Sequence, residues 1–440
     1  MASTTPAFNL KVVLKETGIA ADTLRAWERR YGLPMPQRSA GGHRLYSQRD
    51  IETIKWLMKR QEDGLSISRA VDLWNEQIAS GTDPLADLAQ TGSASTMPVL
   101  LTSPDTTLDT LRAQWVEACL NFSESTAEQV LNQAFSIFPV EAVCIEVLQR
   151  GMFEIGERWY ENRATVQQEH FASALATRRL DALLIASPAP TREQTVLVGS
   201  PPNEWHTLTS LLLSLLLRRR GWKVIYLGAN VPAEQFTNTV KDIGAELVVL
   251  VAQQLITAAT LQHTAQVLSS QAAPVAFGGR IFNTHPSMHA SISGYYLGQD
   301  LLIALDQIET LLSKKLRLPQ PKAASPSHIA AYQVFVSQRS EIELSFRERM
   351  KMFSVAPDNL PVGIHFLGEN ITAALQLGDI GYVSGEVEWL KALLQFHGAE
   401  SGQLIHFMQA YSEAVKKHLN SSGKLIYEWL DSEVEKLRTG

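Results

Sequence analysis

Two places in this chain set a histidine beside a carboxylate at a spacing that suits chemistry. In GSPPNEWHTLTSLLL, Glu204 and His206 are one residue apart and follow an apolar run, TVLVGS, at 195–200. A carboxylate next to a histidine accepts one ring N–H, fixes the tautomer and raises the basicity of the other nitrogen. That is the arrangement behind metal-ligating histidines. Taken alone, Glu-x-His reads as a surface histidine in a loop. The second place is Glu169–His170, which follows Trp159 in GMFEIGERWYENRATVQQEHFASA. Taken alone, this is a core tryptophan and an exposed helix turn. A third group is cationic. Arg25 and Arg29 lie one helical turn apart, with Arg38, His43, Arg44 and Tyr46 around Gly41–Gly42. Such a set suits phosphate contacts, and equally a solvated basic helix in a small interaction domain. No acid–base carboxylate pair, nucleophile triad or phosphate loop stands out, so no enzymatic activity is expected.

These residues need elements to position them. Val12 to Glu16 reads as the start of one helix and Gly18 as a turn. Asp22 is a candidate N-cap for a second helix, Thr23–Tyr31, which Gly32 stops. Residues 107–186 show helical spacing, with stops at Asn121–Ser125 and near Pro139 that predict about four helices. From Thr195 the pattern changes. The runs TVLVGS, KVIYLGA, LVVLVAQ, PVAFGG and GYYLG alternate with helical segments, which predicts a doubly wound, five-stranded parallel sheet. Residues 329–440 read as helical throughout. The expected domains are 1–78, 107–190, 191–315 and 329–440. Linkers rich in Ser, Thr, Gly or Pro are expected at 79–106 and 316–328.

Composition agrees with several folded domains: 440 residues, 45% hydrophobic and 19% charged. The net charge of −6 argues against a chain that binds polyanions along its whole length. Residues 1–70, however, carry 12 Lys/Arg against 7 Asp/Glu, so nucleic-acid contact is expected at this basic head. Two cysteines, Cys119 and Cys144, exclude a disulfide framework and a cysteine-rich metal site. No secretory signal is visible. The most apolar run, LTSLLLSLLL, is too short to span a bilayer, so a cytoplasmic protein without membrane association is expected.

The string TLRAWERRYGL followed by GGHRLY closely resembles the MerR family of winged-helix transcription factors over about 70 residues. The resemblance implies binding of double-stranded operator DNA. It makes Arg25 and Arg29 groove-facing and makes Arg38, His43, Arg44 and Tyr46 wing residues, with Arg38, Arg44 and Tyr46 on phosphates. It also implies a dimer.

The α/β stretch resembles the cobalamin-binding module of methionine synthase, cobalamin mutases and the CarH-type repressors. Its motifs stand here as Glu204–Trp205–His206, Gly221–Trp222 with Leu227–Gly228, Gln253–Gln254–Leu255 and Gly278–Gly279. The resemblance makes His206 the lower axial cobalt ligand and threads the cofactor's nucleotide tail beside residues 253–255 and 278–279. Two residues depart from the motif: Thr209 stands for a glycine and Gln253 for a serine. Trp159 with Glu169–His170 is similar to the bundle that covers the corrin's upper face in CarH-type repressors. It implies Trp159 over an adenosyl group and His170 as an upper ligand after photolysis. The implied cofactor is adenosylcobalamin, and the implied assembly is a homo-oligomer, dimer or tetramer.

The C-terminal block resembles, more faintly, the bilin-binding domain of photocobilins. It has no cysteine, so any biliverdin would be held non-covalently. Tyr382, Trp389, Phe396, His397, His406 and Tyr411 are the residues the resemblance puts at such a pocket. Helical spacing also allows a plain interaction or dimerisation domain. The expected function is a cobalamin-dependent, light-responsive transcriptional regulator. Two alternatives stay open: a corrinoid carrier of a methyltransferase system, and a MerR-type regulator that senses oxygen, redox state or a bilin.

Overall fold

A computed structural model describes residues 6, 8–38, 44–62, 66–79, 83–85, 106–161, 163–270, 274–314, 318–351, 360–396 and 401–439. The chain forms two compact units, Met1–Asp105 and Thr106–Gly440.

The first unit opens with strand β1 (Phe8–Asn9), α1 (Leu10–Thr17) and α2 (Ala21–Tyr31). Strands β2 (Gln37–Arg38) and β3 (Arg44–Tyr46) lead to α3 (Gln48–Glu62) and α4 (Ile67–Ala79). The three strands pair antiparallel in the order β1-β3-β2. Gly18 and Gly32 both end helices in the left-handed region, at φ 71° and 69°, which glycine adopts without strain. Asp22 does not cap α2 as the sequence suggested. The helix begins two residues earlier, with Ala20 at the cap, and Asp22 pairs with Arg25 at 3.3 Å instead. Val13, Leu24, Trp27, Ile54, Trp56 and Trp74 form the core.

A buried strap joins the wing to α2. Tyr46 is fully buried, and its hydroxyl donates to Glu28 Oε1 at 2.5 Å. Arg44 Nε reaches Glu28 Oε2 at 2.9 Å. The expected phosphate contact at Tyr46 is therefore corrected: its ring completes the core and its hydroxyl is spent on Glu28.

The second unit starts with a helical bundle: α5 (Leu108–Leu120), α6 (Glu124–Ile137), α7 (Val140–Val143), α8 (Arg150–Tyr160) and α9 (Val166–Ile185). A π-helical turn, Cys144–Gln149, joins α7 to α8, so these four helical rods match the expected number. Thr107 and Thr165 cap α5 and α9 with reciprocal side-chain and backbone bonds. Gly151 lets α8 close on α5, because a Cβ there would lie 2.8 Å from the Trp115 ring.

Next come β4 (Thr195–Gly199), α10 (Leu208–Arg219), β5 (Lys223–Tyr226), α11 (Ala233–Ile243), β6 (Leu247–Val251) and α12 (Leu255–Ser270). They are followed by β7 (Val275–Gly278), α13 (Arg280–Thr284), β8 (Tyr295–Tyr296) and α14 (Leu301–Ser313). The five strands are all parallel, in the order β5-β4-β6-β7-β8. Chain order reverses at β4, so the loops after β4 and β6 lie side by side. This is where open α/β sheets bind ligands.

The strands read as continuous apolar runs because both faces are covered. Val196, Val198, Val249 and Ala276 pack on α10, α14 and the bundle. Leu197, Val248, Leu250 and Phe277 belong to the opposite core with α11 and α12. That opposite core continues into the last helices: α15 (Pro326–Met350), α16 (Leu360–Leu377), α17 (Ser384–Phe396), α18 (Ser401–Leu419) and α19 (Lys424–Thr439). Small residues Ala373 and Ala374 on α16 share that core with Ala258 and Ala259 on α12, and Gln376 Nε2 donates to the Ala259 carbonyl at 2.9 Å. The C-terminal block is thus built onto α12, on the outer side of the helix layer that covers this face of the sheet.

Because Glu28 is 10% exposed and serves two partners, Glu28→Ala should destabilise the first unit by about 1–3 kcal/mol. Tyr46→Phe should cost about 1 kcal/mol. Hydrogen exchange of the amides of 21–31 and 44–46 measures both, and unchanged protection would contradict the strap.

Candidate cobalamin cleft and DNA-binding face

Glu204 is fully buried, in the loop that leaves β4. Its Oε1 accepts from the His206 backbone N at 2.9 Å and meets His206 Nδ1 at 2.7 Å. Its Oε2 accepts from the Gln253 backbone N at 2.7 Å and from Thr257 Oγ1 at 2.6 Å. Burial pushes this carboxyl up, but the bonds from His206, Thr257 and Gln253 outweigh it and hold the group below its ordinary value. The bond from Glu204 in turn raises His206 above its ordinary value, against the opposing effect of burial.

With Nδ1 tied to Glu204, the tautomer is set and Nε2 is left free. It makes no hydrogen bond among the described residues, and the side chain is 59% exposed. The ring therefore presents a basic nitrogen at the carboxyl end of the sheet. Beside it, Trp205 is 68% exposed.

The neighbouring loops leave space. A Cβ on Gly278 would meet nothing within 4 Å, whereas one on Gly279, at φ 126°, would lie 1.9 Å from the Ala252 carbonyl oxygen. Gly279 is thus required by the close approach of the β6 and β7 loops, and Gly278 borders open space. Gly228 is left-handed at φ 77°, also with open space beside it. Gln253 bridges those loops: its Oε1 accepts from the Arg280 backbone N at 3.0 Å. A serine, the residue of the cobalamin motif, is too short for that bridge. Leu255 is buried at the start of α12, and Thr209 is half-buried in the first turn of α10.

Trp159 and the Glu169–His170 pair come from the bundle. His170 Nδ1 lies 2.7 Å from Glu169 Oε2, and its side chain is 75% exposed. Glu169 is near enough to His206 for its charge to raise the imidazole. Trp159 meets Trp389 of α17 with ring centroids 6.4 Å apart, and Trp389 meets Phe366 of α16 at 5.5 Å. This contact was invisible to sequence reasoning, because the two tryptophans are 230 residues apart.

Two of the other C-terminal candidates, Tyr382 and Tyr411, lie in the packed interior. Tyr411 is fully buried against Phe346, with centroids 5.6 Å apart. Tyr382 is buried, and its hydroxyl lies 3.1 Å from Ser287 Oγ. His406 is exposed. Phe396 ends α17, with its side chain outside the described residues, and His397 lies outside them altogether.

On the first unit, Leu24 and Trp27 bury one side of α2. Arg25 and Arg29, exposed and four residues apart, share the other side. Arg44 keeps 38% of its side chain exposed beside Glu28. The backbone of Arg38 pairs with Arg44, its side chain is outside the described residues, and so is His43.

Three family models match the chain. The MerR HTH family regulatory protein model covers residues 8–77, and two B12 binding domain models cover 111–184 and 194–300. The HTH-type transcriptional repressor CarH of Myxococcus xanthus is 30% identical over 241 residues, 55% of this chain and 77% of that protein. The repressor CarA of the same organism is 31% identical over 244 residues, 55% of this chain and 75% of that protein. Among solved structures, the Methanosarcina barkeri monomethylamine corrinoid protein aligns with 46% of this chain and 97% of its own, at 15% identity and a TM-score of 0.41.

The raised imidazole stabilises the fold fully below pH 6.5, its ordinary value, and loses that effect as pH rises through its folded value. The lowered Glu204 carboxyl contributes fully above pH 4.5 and loses its effect as pH falls through its folded value. The stability gap between the cofactor-free wild type and Glu204→Gln should therefore peak between pH 4.5 and 6.5. It should shrink above that window without vanishing, since the Gln253 and Thr257 bonds persist. Urea unfolding across pH reads this, and a flat gap would contradict the assignment.

Proposed function

The chain belongs to the CarH family of HTH-type transcriptional repressors, a cobalamin-binding transcriptional regulator by its domains, and from that premise we propose that it reads light through adenosylcobalamin. The observation that carries the reading is His206, oriented through Nδ1 by buried Glu204, with Nε2 free at the carboxyl end of the sheet. The residues fit the cofactor. His206 would take the lower axial position, displacing the cofactor's own base. The open space at Gly278 would admit its nucleotide tail, alongside Gln253, Leu255 and Gly279.

Bound adenosylcobalamin supplies a cobalt–carbon bond weak enough for visible light to break. The protein's part is to hold and to sense. Trp159, on α8, would pack against the upper ligand and exclude water. His170, whose side chain is 75% exposed and whose Nδ1 is held by Glu169, would be available as a second ligand on the upper side. Loss of contact at Trp159 would let the bundle move and change the oligomer.

Assembly matters because a single helix-turn-helix binds operator DNA too weakly to select a site, and a second copy raises avidity by ~10²–10⁴. A full switch from 1:99 to 99:1 needs a differential of about 5.5 kcal/mol between assembly states. Arg25 and Arg29 would enter the major groove, with Arg38, His43 and Arg44 on the wing. Among the described residues no helix is long and apolar enough to cross a membrane. Action on chromosomal DNA puts the protein in the cytoplasm on this reading, and no catalytic step is assigned to it.

The C-terminal block is a candidate for non-covalent biliverdin, with Trp389 its best-placed aromatic, since it reaches Trp159. A corrinoid carrier would use the same His206 but would have no use for the basic head.

Protein purified in darkness and given adenosylcobalamin should show a base-off, histidine-ligated spectrum that His206→Ala lacks. An unchanged spectrum in that variant removes the ligand assignment. Size exclusion before and after green light should give different masses, and identical elution rejects light-controlled assembly. Added biliverdin should produce red-region absorbance if the C-terminal block holds it, and its absence leaves that block structural.

A further inference from the structure

Trp159 lies in the last turn of α8 and is half-buried. An indole at the end of a helix has more than one rotamer open to it, and the side chain that presses on it decides which one it keeps. Here that neighbour comes from the C-terminal block. Trp389 of α17 meets Trp159 with ring centroids 6.4 Å apart and planes inclined by 48°. That separation is within the range of attractive aromatic pairs.

Trp389 is itself held by its own block. The Phe366 ring of α16 lies 5.5 Å from it. The first residue of α17 is fixed to α19: Ser384 Oγ donates to Glu433 Oε1 at 2.8 Å and accepts from Trp429 Nε1 at 3.1 Å. Glu433 is 2% exposed and also accepts from Lys436 Nζ at 2.7 Å, so the anchor is charge-assisted and its acceptor is buried. Val387, one turn into α17, is buried in the core that the C-terminal helices share.

The same helix also rests on the segment that follows β7. Just ahead of α17, the Tyr382 ring lies 5.2 Å from the His285 ring, and its hydroxyl is 3.1 Å from Ser287 Oγ. A Cβ on Gly385 would sit 3.9 Å from His285 Nε2. His285 ends α13, the helix that starts from Gly279 of the β7 loop. Gly385 and Trp389 are four residues apart and so share one face of α17. That face therefore spans from the end of α13 to the end of α8. A helix fixed at its start and seated on two neighbours is a rigid support, which is what holding a binding side chain in one geometry requires.

We propose that Trp389 is a positioning residue for the cofactor site: packed on Trp159, it holds that indole in the orientation that meets the upper ligand, and so sets the preference of the site for a large upper ligand over a small one. The inference rests on the reading of Trp159 as the residue beside the upper ligand, and adds to it a determinant from the C-terminal block that His206 ligation does not require. Trp389 acts through Trp159, so its removal loosens the contact with a large upper ligand and leaves the lower side of the site, with Glu204 and His206, as it is.

The test titrates the full chain in darkness with adenosylcobalamin, whose upper ligand is large, and with cyanocobalamin, whose upper ligand is small, following the visible spectrum. Trp389→Leu keeps an apolar side chain against Phe366 but removes the flat indole face. It should bind adenosylcobalamin about 10-fold more weakly while cyanocobalamin binding and its His206-dependent spectral change are kept, which also reports that the site is folded. Trp389→Phe should recover most of the loss. In a Trp159→Ala background, Trp389→Leu should cause no further change, because the two residues act as one pair. An affinity ratio that Trp389→Leu leaves unmoved, an equal weakening of both ligands, or a full further loss in the Trp159→Ala background would overturn the proposal. A wild-type spectrum that His206→Ala leaves unchanged would overturn the underlying cobalamin reading, and a ratio that Trp159→Ala leaves unmoved would overturn the role of Trp159, each taking the proposal with it.

Discussion

A carboxylate with no solvent exposure organises the cobalamin-binding half of this protein. Burying an unpaired ion is among the most expensive arrangements in a fold, and it persists only where hydrogen bonds replace the lost water. Glu204 has four such bonds, two from His206, one from Gln253 and one from Thr257. Those donors come from the β4 loop, the β6 loop and α12. They converge because β4 and β6 are parallel neighbours at the point where chain order reverses. The strand order thus makes an ionised Glu204 tolerable, and the ionised Glu204 makes a singly tautomeric His206.

The sheet has two covered faces, and each carries a different helical partner. The bundle shares a core with Val196, Val198 and Val249. The C-terminal helices share the other core with Leu197, Val248 and Leu250. The two partners meet again at the carboxyl edge, where Trp159 touches Trp389. Trp159 and Trp389 thus give the bundle and the C-terminal block a direct contact in addition to the sheet between them.

Gln253 shows how a departure from a motif can be absorbed. It stands where the cobalamin motif has serine, and its longer side chain bridges to the Arg280 backbone. The bridge ties the start of α13 to the loop after β6. In the first unit, Glu28 plays a comparable part, holding Arg44 and Tyr46 to α2.

Local pattern determined a good deal. Apolar runs between helical segments specified five parallel strands, because a strand covered on both faces must be apolar along its length. Glycines at 18 and 32 marked helix ends, because only a left-handed residue closes a helix there at no steric cost. The Glu-x-His spacing placed carboxylate and imidazole in mutual reach, because two residues of a loop need no tertiary help to meet. Tertiary structure decided whatever depended on residues distant in sequence: that Tyr46 is spent on Glu28 and not on a phosphate, that Asp22 lies inside α2 and pairs with Arg25, that Gln253 and Thr257 complete the shell of Glu204, and that α17 brings Trp389 to Trp159. Spacing encodes which residues share a face, but which faces bury each other depends on how much apolar surface each pairing removes from water, and that balance is struck only when the whole chain packs.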